Sequence, residues 1–243
     1  MKREKSTVLV AIMLFFVGLI SCSNVELIAG NGKIVKKEID VKDFKGVCVS
    51  AGLDVTLVQD SFERVVIETD ENMLEYVKFE NNDGVLNIYR SEGRSKPTKV
   101  KIYVTAVNIE KLYASSGADI KGAGLIKTDY LEMDASSAAD ITVEVRGKYV
   151  VANSSSGADI NILGEATVFN ATASSGADIK AKSLIAGTTK ANASSGADIA
   201  VCVKEEIIAE ASSGGDVKVI GSPIRRDVRL SSGGDVTFEK GGE

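Results

Sequence analysis

The chain of 243 residues carries a formal net charge of −5 and contains no His and no Trp. This acidic balance disfavours nucleic acid as a partner, because a phosphate backbone attracts proteins rich in Lys and Arg. The 3 Cys residues form no Cys-x-x-Cys motif, so the sequence predicts neither a metal site nor a cofactor.

The N-terminus has the features of a bacterial export signal. A basic start precedes an apolar run from Val8 to Ile20, which is too short to span a membrane. The motif Leu19-Ile20-Ser21-Cys22 resembles the lipobox, in which the Cys is acylated and becomes the first mature residue. We therefore predict a lipoprotein signal peptide over 1–21, lipid attachment at Cys22 and a tether over 22–30. A plain secretory signal with a chance Cys is the alternative.

Residues 31–108 form an N-terminal β-region. Candidate strands lie at 34–39, 47–49, 64–68, 77–80, 85–89 and 100–104. Asn81-Asn82-Asp83-Gly84 is a hairpin signal, and Asp70 is placed to cap a short helical turn over 73–76. Ser50-Ala51-Gly52-Leu53-Asp54-Val55 is a degenerate copy of the repeat that fills the rest of the chain, so the first coil begins there. We expect this region to cover the open end of a solenoid.

From residue 109 to 243 one motif recurs, first as Ser115-Ser116-Gly117-Ala118-Asp119-Ile120. Its aspartates follow one another at nearly equal steps, and they are Asp119, Asp140, Asp159, Asp178, Asp198, Asp216 and Asp235. A nearly fixed period of about twenty residues is typical of a solenoid.

Within each repeat, positions are numbered here from the Asp. Positions −9, −7 and −5 are mostly apolar or small, as in Phe169, Ala171 and Ala173, and positions +1 and +3 are apolar. This alternation predicts strands with one buried face, joined by a tight bend at Ser-Ser-Gly-x-Asp. No long helical pattern lies between the repeats. We therefore predict an all-β fold, a right-handed parallel β-helix with about 19–20 residues per coil.

Stacking places the aspartates in one column and the +1 residues, including Ile160 and Ile179, in one buried row. Neighbouring coils are about 4.8 Å apart, and two carboxylates at that spacing repel by roughly 1 kcal/mol in water. Hydrogen bonds from each turn's own Ser hydroxyls and backbone N–H groups would offset this repulsion. Ca²⁺ shared between carboxylates is the alternative. Because one Asp per coil supplies few of the six to eight oxygens that Ca²⁺ needs, we favour the hydrogen bonds.

Other reactive or aromatic side chains are sparse. Cys48 and Cys202 lie in distant parts of the predicted solenoid, so we expect two unpaired thiols. The tyrosines Tyr103, Tyr113, Tyr130 and Tyr149 are scattered along the chain, and we interpret them as single structural residues rather than as a sugar-stacking surface.

Together these motifs resemble one family. The Gly30-Asn31-Gly32 opening, Asp54-Val55-Thr56-Leu57, Asp70-Glu71-Asn72-Met73-Leu74 and the repeats are similar to the putative autotransporter adhesin, head GIN domain family, common among Bacteroidetes lipoproteins. The resemblance covers residues 29–238 and implies a β-helix with an N-terminal β-portion at the cell envelope. It brings no catalytic or binding residues. One departure is Ala138, which replaces the turn Gly; either that coil bends differently or Ala138 avoids a positive φ.

Three functions are compatible with this sequence. We favour a cell-envelope lipoprotein, held at the outer membrane by its lipid anchor, that binds an envelope protein or a glycan through its solenoid. A purely structural envelope protein is the second. A polysaccharide-degrading enzyme is the third, but catalysis by paired carboxylates needs two different environments, whereas the repeat aspartates are equivalent.

Overall fold

The structure, a computed structural model, describes residues 28–91, 95–96 and 99–240. The predicted signal peptide, Cys22 and most of the tether lie outside the described residues. No helix in the described ranges is long and apolar enough to cross a membrane.

Strands account for nearly all of the regular structure. The N-terminal region contains β1 Ile28–Ala29, β2 Ile34–Ile39, β3 Gly46–Val49, β4 Asp54–Gln59, β5 Arg64–Asp70, β6 Val77–Asn82, β7 Val85–Arg90, β8 Ser95–Lys96 and β9 Val100–Ala106, with a 3-10 helix at Glu71–Tyr76. The repeats form β10 Lys111–Ser115, β11 Asp119–Ser136, β12 Asp140–Ser155, β13 Asp159–Ser174, β14 Asp178–Ser194, β15 Asp198–Ser212, β16 Asp216–Ile220, β17 Arg225–Leu230 and β18 Asp235–Glu239. These strands stack into a β-solenoid of about seven turns, which confirms the predicted fold class.

Successive coils pair in parallel, and the residues that follow each turn are in register. Asp159 pairs with Asp178 and Ile160 with Ile179, and the same register holds for every pair of neighbouring repeats. Ile160 and Ile179 are both fully buried, which confirms the predicted +1 row. Burial of such a row is the main favourable contribution to folding here, because no coil can bury its apolar face alone.

Each Ser-Ser-Gly-Ala segment is a tight turn with two left-handed residues. In the turn Ser155 to Ala158, Ser156 has φ 56° and Gly157 φ 69°, and the Ala158 N–H donates to the Ser155 carbonyl at 3.3 Å. Positive φ at both central residues defines a type I′ turn. Turns also bond to one another along the stack, since the Gly157 N–H donates to the Ser175 carbonyl of the next coil at 3.2 Å.

Ala138 occupies this turn in the same conformation as the glycines. Its φ is +59°, and its N–H donates to the Ser156 carbonyl at 3.1 Å. The prediction that this coil bends differently, or that Ala138 avoids a positive φ, was therefore wrong. The hydrogen-bonded turns on either side hold the backbone, although a left-handed residue with a Cβ costs roughly 1–2 kcal/mol.

The N-terminal region closes one end of the solenoid. β3 and β4 form the first coil around the turn at Ser50, and β7 and β9 pair parallel to them as an incomplete outer coil. The antiparallel strands β6, β5 and β2 then lie outside β7 and β9. This arrangement confirms the predicted cap, because it gives the first coils pairing partners on their outer side.

Two details of the N-terminal region differ from the predictions. The side chain of Asp70 forms no cap hydrogen bond to the 3-10 helix; its Oδ1 instead accepts the Gly32 N–H at 2.7 Å. Asp70 is fully buried, and a Cβ on Gly30 would lie 2.5 Å from its carboxylate. The glycine-rich opening therefore folds over the buried carboxylate of Asp70. We had assigned residues 28–30 to the tether, but they are part of the fold, because β1 pairs with β8.

At the other end, β17 pairs with β15 and β18 pairs with β16. The Arg226 guanidinium lies over the Phe238 ring, 4.3 Å from its centroid. A cation above an aromatic face is attracted by the ring quadrupole, so Arg226 shields part of the terminal core.

Candidate functional site

The predicted column of aspartates exists and is longer than expected. All seven repeat aspartates are in register, and Asp54 of the first coil pairs with Asp119. Asp54 follows Gly52 by two residues, as every repeat Asp except Asp140 follows its turn Gly. This spacing in the degenerate motif could have added Asp54 to the predicted column.

One lysine, Lys180, neutralises part of the column. The Lys180 ammonium lies 2.6 Å from Asp159 Oδ2 and 3.3 Å from Asp178 Oδ2. We predicted hydrogen bonds from both Ser hydroxyls and backbone N–H groups. Within the described ranges no turn Ser hydroxyl donates to a column carboxylate, so the Ser part of that prediction was wrong. The sequence feature that could have predicted the Lys180 contact is the Lys at position +2, because side chains two residues apart in a strand face the same side.

Neighbouring carboxylates of the column also repel one another. Burial raises the pKa of the Asp198 carboxyl, and the charges of Asp178 and Asp216 raise it further. Burial likewise raises the pKa of Asp119, with contributions from Asp54 and Asp140, although a hydrogen bond from the Asp140 backbone opposes the shift. Both shifts indicate like charges held together by the register of the coils.

A groove of about 380 Å³ runs along the last coils of the column. It is lined chiefly by Asp178, Asp198, Asp216, Lys180 and Lys218. No three acidic or Cys side chains of the described chain converge closely enough to hold a metal ion. The acidic and basic side chains of this groove are suited to polar contacts with a partner.

A second surface feature lies on another part of the coils. Tyr130 and Tyr149 both occupy position −10, are paired in register, and are 42% and 56% exposed. The interpretation of these tyrosines as scattered single residues was therefore wrong. Their separation in the chain equals that of the aspartates Asp140 and Asp159, and this was the signal that could have found the pair.

A groove of about 650 Å³ is lined in part by Tyr130, the in-register neighbour of Tyr149. It is lined by Asn108, Glu110, Lys127, Thr128, Asp129, Tyr130, Arg146, Gly147 and Lys148. We call it the tyrosine groove. Aromatic, cationic and amide groups thus converge in one concave region, as they do in ligand sites.

Neighbouring acids influence the tyrosines near this groove. Burial, assisted by the charges of Glu132 and Asp134, raises the pKa of Tyr113 to about 12. Burial and Glu132 also raise the pKa of Tyr130, whose hydroxyl lies 3.5 Å from Glu132 Oε2. These phenols therefore remain protonated and uncharged at neutral pH.

Cys48 and Cys202 are both free, as predicted. Cys48 is half-buried, and this burial raises the pKa of its thiol, which makes it a poor nucleophile at neutral pH.

Known structures share this architecture. The chain is similar to a structure described as a putative adhesin from Bacteroides fragilis NCTC 9343, with a TM-score of 0.82 and 17% identity over 87% of this chain and 100% of that one. A putative adhesin from Parabacteroides merdae ATCC 43184 gives a TM-score of 0.72 and 19% identity over 88% and 98% of the two chains. A structure described as a putative lipid binding protein from Parabacteroides distasonis ATCC 8503 gives a TM-score of 0.71 and 16% identity over 87% of this chain and 100% of that one. At these identities the likeness shows the fold alone.

A comparison with curated proteins finds no match. A family model described as "putative auto-transporter adhesin, head GIN domain" matches residues 43–223, which include the first coil and most of the repeats. The chain therefore belongs to the head GIN domain family of putative auto-transporter adhesins.

Proposed function

We propose that this chain is a cell-envelope lipoprotein, anchored through Cys22 in the outer membrane, whose solenoid serves as a binding and adhesion module. The family description and the lipobox-like motif at residues 19–22 support this proposal. The anchor holds the chain at the envelope, and the solenoid provides a long surface for a protein or glycan partner.

The observation that carries the binding role is the exposed tyrosine pair beside a groove. Tyr149 is 56% exposed, and within the described residues its hydroxyl has no hydrogen-bond partner. Tyr is enriched where one protein binds another molecule, because its ring is large and rigid and its hydroxyl can hydrogen bond. The parallel coils hold the pair in place, so little ordering is needed on binding.

The anchor and the binding role can be tested separately. Cell fractionation with a carbonate wash should find the native protein in the membrane fraction and the Cys22→Ala variant in the soluble fraction. Retention of the variant in the membrane would contradict lipid attachment. Proteinase treatment of intact cells then reports which side of the outer membrane displays the solenoid.

For binding, beads that carry the mature chain should attach to immobilised envelope or host-surface material in a saturable manner. Beads that carry the same chain with Tyr149→Ala and Tyr130→Ala should attach less. Absence of saturable attachment by the native chain would favour the purely structural role instead.

A further inference from the structure

The tyrosine groove is lined by Tyr130 and by two neighbouring cations, Lys127 and Arg146, and Tyr149 pairs in register with Tyr130 beside it. We propose that it binds an oligosaccharide that carries carboxylate or sulfate groups. This inference rests on the proposed binding function and names its ligand class and its site.

Tyr130 and Tyr149 provide the aromatic part of the proposed site. Parallel pairing places their backbones about 4.8 Å apart, and both side chains are exposed. The C–H faces of a pyranose ring pack favourably against aromatic rings, while its hydroxyls hydrogen bond around the edge. Each exposed ring offers a face for one sugar unit, and the Tyr149 hydroxyl, which has no hydrogen-bond partner among the described residues, is available to a ligand.

The cationic part concerns Lys127 and Arg146, which pair directly in neighbouring coils. Like charges opposite each other on adjacent strands are destabilising. The Arg146 Nε lies 3.3 Å from a carboxylate oxygen of Glu165 in the following coil, whereas Lys127 has no carboxylate partner among the described residues. An anionic ligand group placed between Lys127 and Arg146 would supply the missing countercharge.

The floor of the groove is held in place before any ligand arrives. The Gln59 amide donates to the Lys127 carbonyl at 3.0 Å and accepts the Lys127 N–H at 2.7 Å. The Thr128 hydroxyl donates to the Tyr130 carbonyl at 2.8 Å. Gly147 leaves the floor open, and a Cβ there would already lie 3.2 Å from the Thr128 carbonyl oxygen. Such fixed geometry lowers the ordering cost of binding.

Other charges around the groove set its balance. Lys148 pairs with Asp129 at 3.0 Å, and Glu110 pairs with Lys45 at 3.0 Å, so both acids already have cationic partners. Both acids that line the groove are therefore paired, whereas Lys127 has no carboxylate partner among the described residues; Glu132, beside the Tyr130 hydroxyl, is not a lining residue. A neutral sugar would satisfy the tyrosines but not this cation.

The test uses the mature chain and isothermal titration with three probes: heparin oligosaccharides, polygalacturonate oligosaccharides and neutral galactan oligosaccharides. We expect binding of at least one acidic probe and much weaker binding of the neutral one. Tyr149→Ala should weaken the acidic probe about tenfold, and Tyr149→Phe should weaken it only slightly. Lys127→Ala should weaken it several-fold and reduce its loss of affinity between low salt and about 0.5 M NaCl.

Tyr103→Ala and Lys190→Ala are matched controls. Tyr103 is a 36% exposed tyrosine outside the tyrosine groove, and Lys190 is an exposed lysine of β14. Both variants should bind as the native chain does. Equal losses in the controls, unchanged binding in Tyr149→Ala, a preference for the neutral probe, or no binding of any probe would each overturn the inference. In the last case, continued saturable attachment of the beads would show that the adhesion function stands and that its ligand is a protein.

Discussion

The buried Thr189 provides a sharp test of the coil register. It lies at position −9, between Phe169 and Ile207 of the neighbouring coils, and it is fully buried like both of them. Within the described chain its Oγ1 has no hydrogen-bond partner. A buried hydroxyl without a partner costs about 1–3 kcal/mol relative to an apolar group. Thr189→Val keeps the shape of the side chain and removes that polar atom.

We therefore expect Thr189→Val to raise the free energy of unfolding by about 1–2 kcal/mol. For a chain of this size that gain corresponds to roughly 2–8 °C in Tm. Urea denaturation followed by circular dichroism measures it, and an unchanged m value would show that the unfolded state is the same. Thr189→Ser, which keeps the hydroxyl and deletes a methyl group, should instead destabilise by about 1 kcal/mol.

Thr167 is the matched control, because it is an exposed Thr on β13 in the preceding coil. Thr167→Val should change stability by less than about 0.5 kcal/mol. If Thr189→Val is no more stable than the native chain, the hydroxyl has a partner, such as a buried water, and the reasoning is refuted.

Three further predictions follow from the turns and rows. Ile179→Ala should cost about 2–5 kcal/mol in urea denaturation; Ile185→Ala in the same coil, where the side chain is 39% exposed, should cost much less, and equal losses would contradict the register. Ala138→Gly should raise the free energy of unfolding by about 0.5–1 kcal/mol, since Gly adopts the positive φ of this turn without strain. A decrease of that size would instead indicate that Ala138 is an ordinary strand residue. Asp198→Asn should be slightly more stable at pH 7, by less than about 1 kcal/mol. The pKa of Asp198 is raised in the folded protein, so its charged form is disfavoured there. The stability gain of Asp198→Asn should therefore shrink as the pH falls through the folded pKa and vanish below the unfolded pKa. A gain that does not change with pH would argue against like-charge repulsion.

The repeat was sufficient to predict the column and the buried row, although the steps between its aspartates are unequal. The structure explains this tolerance. Extra residues are absorbed in register shifts away from the turns, for example between Lys121 and Leu125 and between Ala181 and Ile185. The hydrogen-bonded turns and the +1 row then keep their alignment in every coil.

What the sequence did not provide was the identity of the neighbours across coils. Tyr130 and Tyr149 are distant in the chain, and only their common position relative to the aspartates shows that they meet. The same holds for Lys180 and its contact with Asp159 of the preceding coil. Long, flexible side chains choose among several nearby charges, and periodicity fixes where their backbones lie rather than which contact forms.

The buried Asp70 was beyond sequence reasoning for a different reason. Its contacts come from Gly32, which is remote in the chain, and from the irregular region before β9. A local pattern in front of a helical turn predicted a cap, whereas the tertiary contact with the glycine-rich opening took its place. Irregular segments carry no period, so only the folded chain reveals such a contact.

The proposed site requires that the register of the coils bring Tyr130 and Tyr149 side by side at the tyrosine groove. The chain contains only 6 Tyr residues, so selective Tyr labelling and single Tyr→Phe variants can assign each Tyr in an NMR spectrum. We predict a nuclear Overhauser effect between backbone protons of Tyr130 and Tyr149, which parallel pairing holds side by side, and none between Tyr103 and Tyr149. Absence of the first effect in the folded protein, with every Tyr assigned, would contradict the register and with it the proposed site.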